Sequence, residues 1–253
     1  MIETVAVLGE FGDAIDFLFS ERQTKGGGRA GGKELLDPLW EHVKLSLLSM
    51  GVACGVAIPI GLWLGHIGKG SFLAISVSNI GRAVPSLALI VFFFAYLGTS
   101  YANVTLALAL LAIPPILTNT YVGVRQVDRE AVDAGRGMGM TGFEMVRRVE
   151  LPLAAPLMFA GIRTAAVNVV ATATIAPLAG VVTLGDPIIS VRILGEEGRL
   201  AAAMLVAALA VVTELSLGWA ERAVTPKGLK LEAGSPSRRR RLLTTRRRVE
   251  ATS

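Results

Sequence analysis

Residues 83–124 read AVPSLALIVFFFAYLGTSYANVTLALALLAIPPILTNTYVGV, 42 positions without an Asp, Glu, Lys or Arg. Soluble domains carry about a quarter charged residues, so a run this long without one belongs where water is absent. A helix needs about 20 mostly apolar residues to cross the hydrocarbon core of a bilayer, and 42 suffice for two. The polar cluster Gly98-Thr-Ser-Tyr-Ala-Asn103 divides the run at a turn-prone point, which lets two helices meet at one surface.

Working outward, Leu45–Gly68 is a second charge-free run of 24 residues and Thr164–Gly185 a third of 22. Leu200–Thr213 gives 14, and reaches Ala220 if Glu214 is accepted inside. These runs predict an all-α integral membrane protein with five transmembrane helices, at 41–65, 72–97, 104–124, 153–180 and 199–220. Composition agrees: 52% of the 253 residues are hydrophobic and 18% charged, with a mean hydropathy of +0.57. An ordinary cytosolic enzyme, a disordered tail protein and a disulfide-stapled secreted domain are excluded. Cys54 stands alone and only His42 and His66 accompany it as soft ligands, so no metal site is expected.

Basic residues set the orientation. With five spans the termini lie on opposite sides. One side collects sixteen Lys or Arg, from Lys69 through the 125–148 segment to the tail, and the other six. The richer side is expected in the cytoplasm, which puts the N-terminus outside and the C-terminus inside. The net charge of +5 is thereby explained by topology, and no nucleic acid is expected as partner. Trp40, Tyr96 and Tyr101 fall at outer span ends and Trp63, Tyr121 and Trp219 at inner ends, as interfacial rings do. Three regions follow: an external segment 1–39 with a surface helix over 2–19 and a Gly-rich linker; a transmembrane domain 40–222; and a basic cytoplasmic tail 223–253, expected to be disordered.

Two nucleotide-binding patterns are decoys. Gly27-x4-Gly32-Lys33 has the spacing of a phosphate loop, but Glu34 stands where the motif needs Ser or Thr. Gly137-x-Gly139-x-x-Gly142 matches the dinucleotide fingerprint without the strand–helix–strand unit that gives it meaning.

Those glycines belong to residues 125–152, RQVDREAVDAGRGMGMTGFEMVRRVELP, the longest and most charged interspan loop. Helix formers come first, glycines at 135, 137, 139 and 142 permit a reversal, and a second short helix follows with Phe143, Val146 and Val149 on one face. Pro152 sits where a new helix can start. Met138, Met140, Phe143 and Met145 lie near the tip, where soft apolar side chains suit a docking surface.

The pattern Asp133-Ala134-Gly135-x3-Gly139-x9-Val149-x-Leu151-Pro152 resembles the Glu-Ala-Ala loop of binding-protein-dependent ABC importer permeases. It departs from that family's pattern at Asp133 for Glu, Gly135 for Ala and Val149 for Ile. The five-span, N-outside arrangement resembles the methionine-importer type of permease over roughly residues 40–222. Asn79–Leu89, Asp133–Met140, Leu151–Thr164 and Leu184–Ile189 look like the osmoprotectant branch, which handles glycine betaine, choline, carnitine or proline.

The resemblance implies a transport subunit of the plasma (inner) membrane of a prokaryote, not an enzyme. The loop residues Asp133, Ala134, Gly135, Met138, Gly139, Met140, Phe143, Leu151 and Pro152 would form a coupling element seated on a cytoplasmic ABC ATPase. ATP and magnesium would be bound by that partner, with no cofactor on this chain. An external substrate-binding protein and a second permease copy or paralogue are the other implied partners. Importers of an amino acid or an oxyanion remain an alternative within the class; an ion-coupled carrier would need internal repeats and midplane carboxylates, and the sequence shows no repeat and only Glu214.

Polar residues inside spans are expensive and are therefore functional candidates. Asn79 and Arg82 fall in span two, Arg163 and Asn168 in span four, Glu214 in span five. Either Glu214 and an arginine form a packing ion pair, or these groups line a pathway. Phe92, Phe93, Phe94 and Tyr96 form the one aromatic cluster within a span, but three consecutive rings diverge on a helix. The arginine-rich tail, Arg238–Arg248, could bind anionic membrane lipid.

Overall fold

The computed structural model describes residues 2–20, 22–23, 29–70, 72, 76, 79, 81 and 83–225. The described residues are helical apart from an antiparallel pairing of Arg22–Gln23 (β1) with Arg29–Ala30 (β2). In chain order the helices are α1 Ile2–Phe19, α2 Leu36–Ile67, α3 Ser86–Leu97, α4 Tyr101–Arg125, α5 Arg129–Gly137, α6 Gly142–Met145, α7 Leu151–Thr172, α8 Gly185–Ile189 and α9 Val191–Val224. Four helical stretches among them are long and apolar enough to cross a membrane: Gly32–Ile67, Tyr101–Arg125, Gly142–Ala179 and Leu194–Val224. They coincide with the first, third, fourth and fifth expected spans.

The second expected span, 72–97, differs. Its described residues Phe72, Ser76, Asn79, Gly81 and Ala83 are helical, but Pro85 takes extended backbone (φ −64°, ψ 124°), interrupts the helix and caps a new one that begins at Ser86. Proline lacks the N–H that a continuing helix needs and pushes its predecessor out of the helical region. The helix after the break, α3, has 12 residues. Arg82 lies outside the described residues, as does the tail beyond Thr225.

α4 is the hub, packed on α2 along one side and α7 along the other. Their shared core is built mainly from alanines (Ala53, Ala57, Ala107, Ala109, Ala112, Ala165) with Leu45, Leu108 and Ile116 between them. In lipid, where no hydrophobic force drives helices together, small residues allow the close approach that van der Waals packing needs. Gly61 and Gly65 of α2 make this concrete. A Cβ at Gly61 would stand 2.7 Å from Thr120 Cβ, and one at Gly65 2.7 Å from Val124 Cβ, both on α4. The other Gly-x3-Gly pair of α2, Gly51 and Gly55, has nothing within 4 Å, so only one of the pair-spaced motifs serves packing within the chain. His42, wholly buried, ties α2 to α7 by donating from Nε2 to the Val170 carbonyl at 2.9 Å.

α1 is seated on α9: its Ala14 and Phe17 are buried against Leu35, Leu184, Leu194, Ala201 and Ala202. α9 breaks at Gly195 (φ 75°, ψ −176°). Of the expected interfacial rings, Trp40, Trp63, Tyr96 and Trp219 are exposed, whereas Tyr121 is buried beside Leu64. It packs in the bundle because α4 is covered on two sides there.

Gly61→Val forces a branched side chain into the α2–α4 contact and is expected to destabilise the detergent-purified chain by about 1–3 kcal/mol. Gly55→Val, on an open face, should leave its thermal unfolding midpoint nearly unchanged; equal shifts for the two would contradict this packing.

Candidate functional site

The 125–152 loop folds as two capped helices joined by one left-handed glycine. Asp128 caps α5, accepting from the Glu130 amide at 2.9 Å. α5 ends where Gly139 adopts φ +78°, and the turn closes through Gly139 N–H to Arg136 carbonyl (2.9 Å) and Met140 N–H to Gly135 carbonyl (3.2 Å). Nothing lies within 4 Å of a Cβ at Gly139, so conformation, not space, demands glycine there. Thr141 then caps α6 in a reciprocal box with Glu144: the Thr141 amide donates to Glu144 Oε2 at 3.0 Å, its hydroxyl at 2.9 Å, and the Glu144 amide returns to Thr141 Oγ1 at 3.4 Å. These donors hold the Glu144 carboxyl below the ordinary carboxylate range; it sits on the water-exposed first turn, ahead of the apolar part of the helix.

No break separates α6 from α7. Val146–Glu150 widens into a π-turn, with the Leu151 amide reaching the Val146 carbonyl five residues back. Pro152 explains the widening: it has no N–H to give and its ring would press on the carbonyl of an α turn. Thus Pro152 does not open a separate helix; it sits in the first turn of α7 in one rod that runs on from Gly142.

The expected apolar tip is split. Met138 and Phe143 are exposed at 72% and 74%, whereas Met145 is buried and Met140 half-buried. Gly135 is buried under the methionines: a Cβ there would meet Met145 Cε at 2.7 Å, the free end of a flexible side chain, so the position can hold alanine or glycine. Asp133 and Ala134 are exposed, and Asp133 pairs with Arg136 at 3.2 Å. Leu151 and Pro152 are half-buried at the root of α7.

The sequence reading missed the joint beneath this loop. His66, at the end of α2, donates from Nδ1 to Glu150 Oε2 at 2.8 Å, and Glu150 is only 5% exposed. A buried carboxylate with one partner fixes the π-turn to the neighbouring helix. The available signal was an acid placed between Val149 and Leu151 on an apolar face.

Of the four intramembrane candidates among the described residues, two meet. Arg163 Nε lies 3.3 Å from Glu214 Oε1, and its Nη1 lies 3.4 Å from Glu221 Oε2, so α7 and α9 are joined by one guanidinium and two carboxylates. Gly218 faces Nη1, at 3.3 Å from where its Cβ would be. Asn168 and Asn79 are exposed and not part of this cluster. In α3, Phe93 packs on the core while Phe92, Phe94 and Tyr96 are exposed; Phe92 and Tyr96 rings lie 4.6 Å apart.

The described residues thus form a helical bundle with apolar spans and a capped, surface-presenting loop between two of them. The family model "Binding-protein-dependent transport system inner membrane component" matches residues 57–226. The choline transport system permease protein OpuBB of Bacillus subtilis is 40% identical over 82% of this chain and 94% of its own length. The glycine betaine/carnitine/choline permease protein OpuCB of the same organism is 39% identical over the same shares. The carnitine transport permease protein OpuCB of Listeria monocytogenes is 38% identical over 79% and 92%. Among solved structures, the inward-facing MetNI methionine ABC transporter superposes with TM-score 0.66 at 22% identity, covering 76% of this chain and 96% of that one. An amino acid ABC transporter with histidines gives 0.60 at 18% over 75% and 93%; these two likenesses concern the fold.

The chain belongs to the family of binding-protein-dependent transport system inner membrane components. It is a permease subunit of the ABC importer class, a transport subunit of the inner membrane and not itself an enzyme. Membership in this family implies the partners of the class: an ATPase, a substrate-binding protein and a paired permease.

His66→Ala strands the buried Glu150 carboxylate and should cost about 1–3 kcal/mol of stability. Glu150→Gln keeps an acceptor for His66 and should cost less. Thermal unfolding in detergent checks the order, and the reverse order would contradict the anchoring role.

Proposed function

We propose that this chain is the membrane subunit of an ATP-driven importer for a quaternary ammonium solute such as choline, glycine betaine or carnitine. The observation that carries the solute class is the group of relatives at 38–40% identity over about four fifths of the chain, whose names specify those compounds. In this reading all five spans cross the membrane, with segment 1–39 outside, 40–222 as the permease domain and 223–253 in the cytoplasm. An external binding protein delivers the solute, and a second permease copy or paralogue completes the path.

Energy enters through the 125–152 loop. Met138 and Phe143 meet a groove of the cytoplasmic ATPase, which holds ATP and magnesium; Asp133, Ala134, Gly135, Gly139 and Met140 shape the element that presents them, and Leu151 and Pro152 join it to span four. The geometry supports this because α6, the π-turn and α7 form one continuous rod, anchored to α2 by His66. A push on Phe143 is therefore delivered to the membrane segment instead of being lost in a flexible connector. Nucleotide-driven closure of the ATPase biases the equilibrium between inward- and outward-open states, which requires that the loop contact the ATPase differently in each. Arg163, Glu214 and the polar Asn79, Arg82 and Asn168 belong to the span interiors of this pathway-forming domain. The basic tail lies where it can meet anionic lipid.

Proteoliposomes holding this chain with its ATPase and binding protein provide the test. Wild type should take up radiolabelled choline or glycine betaine only with ATP. Gly139→Val places a β-branched residue at a left-handed position and should cut that uptake by about tenfold or more. Gly137→Ala, where nothing crowds a Cβ and φ is not positive, should leave it intact. ATP-driven uptake of some other solute alone would overturn the solute class; uptake indifferent to ATP and to Gly139→Val would overturn the coupling.

A further inference from the structure

A cavity of about 470 Å³ opens where the N-terminal ends of α2 and α4 meet the loop after α7, walled by Glu41, Thr99, Ser100, Tyr101 and Gly180–Val182. Its walls are fixed by local chemistry. Ser100 caps α4 through the Ala102 amide (3.3 Å), which sets Tyr101 on the first turn. Asn103 Nδ2 donates to the Leu97 and Gly98 carbonyls at 2.8 and 2.9 Å and pins the preceding turn. Gly180, left-handed at φ 75°, closes the third side.

The two side chains that give this cavity its chemistry already hold a cation. The Lys44 ammonium lies 2.8 and 2.9 Å from the Glu41 carboxylate oxygens and 5.2 Å from the centre of the Tyr101 ring. A carboxylate and an aromatic face are the two contacts available to a quaternary ammonium, which has no N–H to donate and is recognised by charge and by the ring quadrupole. The Tyr101 hydroxyl is buried and, among the described residues, without a hydrogen-bond partner.

We propose that Glu41 and Tyr101 form a binding site for the quaternary ammonium head of the transported solute at the outer mouth of the permease, with the Lys44 ammonium as its built-in competitor. This rests on the solute class and orientation proposed above. In the empty permease Lys44 occupies the carboxylate and the ring; arriving solute displaces it, and Lys44 reclaims them when solute moves on. An internal competitor keeps the site weak, which suits a way station that must release its cargo.

The experiment uses this chain with its ATPase in lipid nanodiscs, without binding protein, and follows saturation transfer to the N-methyl protons of choline against empty nanodiscs. Wild type should show a weak, saturable signal. Lys44→Gln should tighten it by roughly 3- to 10-fold, the range of one cation–π contact. Glu41→Gln and Tyr101→Leu should abolish it. Tyr101→Phe, which keeps the ring, should retain most of it and guards against loss through misfolding. The uncharged isostere 3,3-dimethyl-1-butanol should give no signal. Unchanged or weaker choline binding in Lys44→Gln, absence of any signal in that variant, or equal binding of the neutral isostere would each overturn the proposal. Choline uptake by the complete wild-type system, measured in parallel, separates the two readings. Uptake without the Lys44 effect removes this site alone, and failure to take up any quaternary ammonium removes the solute class beneath it.

Discussion

Inside a bilayer a backbone N–H or C=O has no water to turn to, and each one left unpaired costs several kcal/mol. That constraint selects the helices of this chain and then dictates how they are trimmed. Hydroxyls fold back on their own helices, Ser46 to the His42 carbonyl, Ser49 to Leu45 and Thr105 to Tyr101, each at 2.8 Å. Asn119 donates to the Pro115 carbonyl at 2.8 Å in the helix where Pro114 and Pro115 already subtract two amides. With these hydroxyl and amide groups turned back onto their own helices, the contact surfaces are mostly apolar and small, and α2, α4 and α7 can close on one another through alanine and glycine.

The same constraint shapes the junction between water and membrane. Pro152 removes an amide at the root of α7, and the chain answers with a π-turn, a wider helix that keeps the rod continuous. The price is a locally loosened ladder, and Glu150 within it is clamped by His66 from α2. The loop, the π-turn and the first span thereby share one joint. A reversal built on a single left-handed glycine gives the loop a fixed shape, and continuity through the π-turn gives it leverage.

Much of this was legible in the sequence, for reasons that can be named. Four of the spans were visible because an unpaired charge is too costly in hydrocarbon, so its absence over 20 residues is informative by itself. Gly139 was visible by spacing, and the Glu214–arginine pair by the scarcity of charges that could pair. What escaped was long-range or subtle. His66 and Glu150 are 84 positions apart, and no local pattern links them. Glu221 falls among the charges expected at a helix end, so its reach to Arg163 was hidden. The grouping of four apolar residues at the loop tip failed because helical geometry sends Met145 inward while Phe143 points out. The break before Ser86 was announced by Pro85, but a charge-free run registers hydrophobicity and is blind to a missing amide.

The contrast between α9 and α4 lies in how much of each is covered within the chain. α2, α4 and α7 are held by contacts at glycine and alanine that tolerate little displacement, since interiors packed this closely respond to a methyl group. In the most apolar window of α9 only 11% of residues are buried within the chain, against 50% in α4. It is joined to α7 by the Arg163 cluster, whose groups are part exposed, and to α1 and α8 at its other end. Between α2, α7 and α9 lies an apolar cavity of about 390 Å³ bordered by Met50, Cys54, Ala166 and Leu209. α9 also packs along α7, and the apolar face it leaves uncovered is one that lipid or another apolar helix can cover equally well. The alanine-packed trio carries the joint to the loop, and α9 presents the apolar face that the chain itself leaves uncovered.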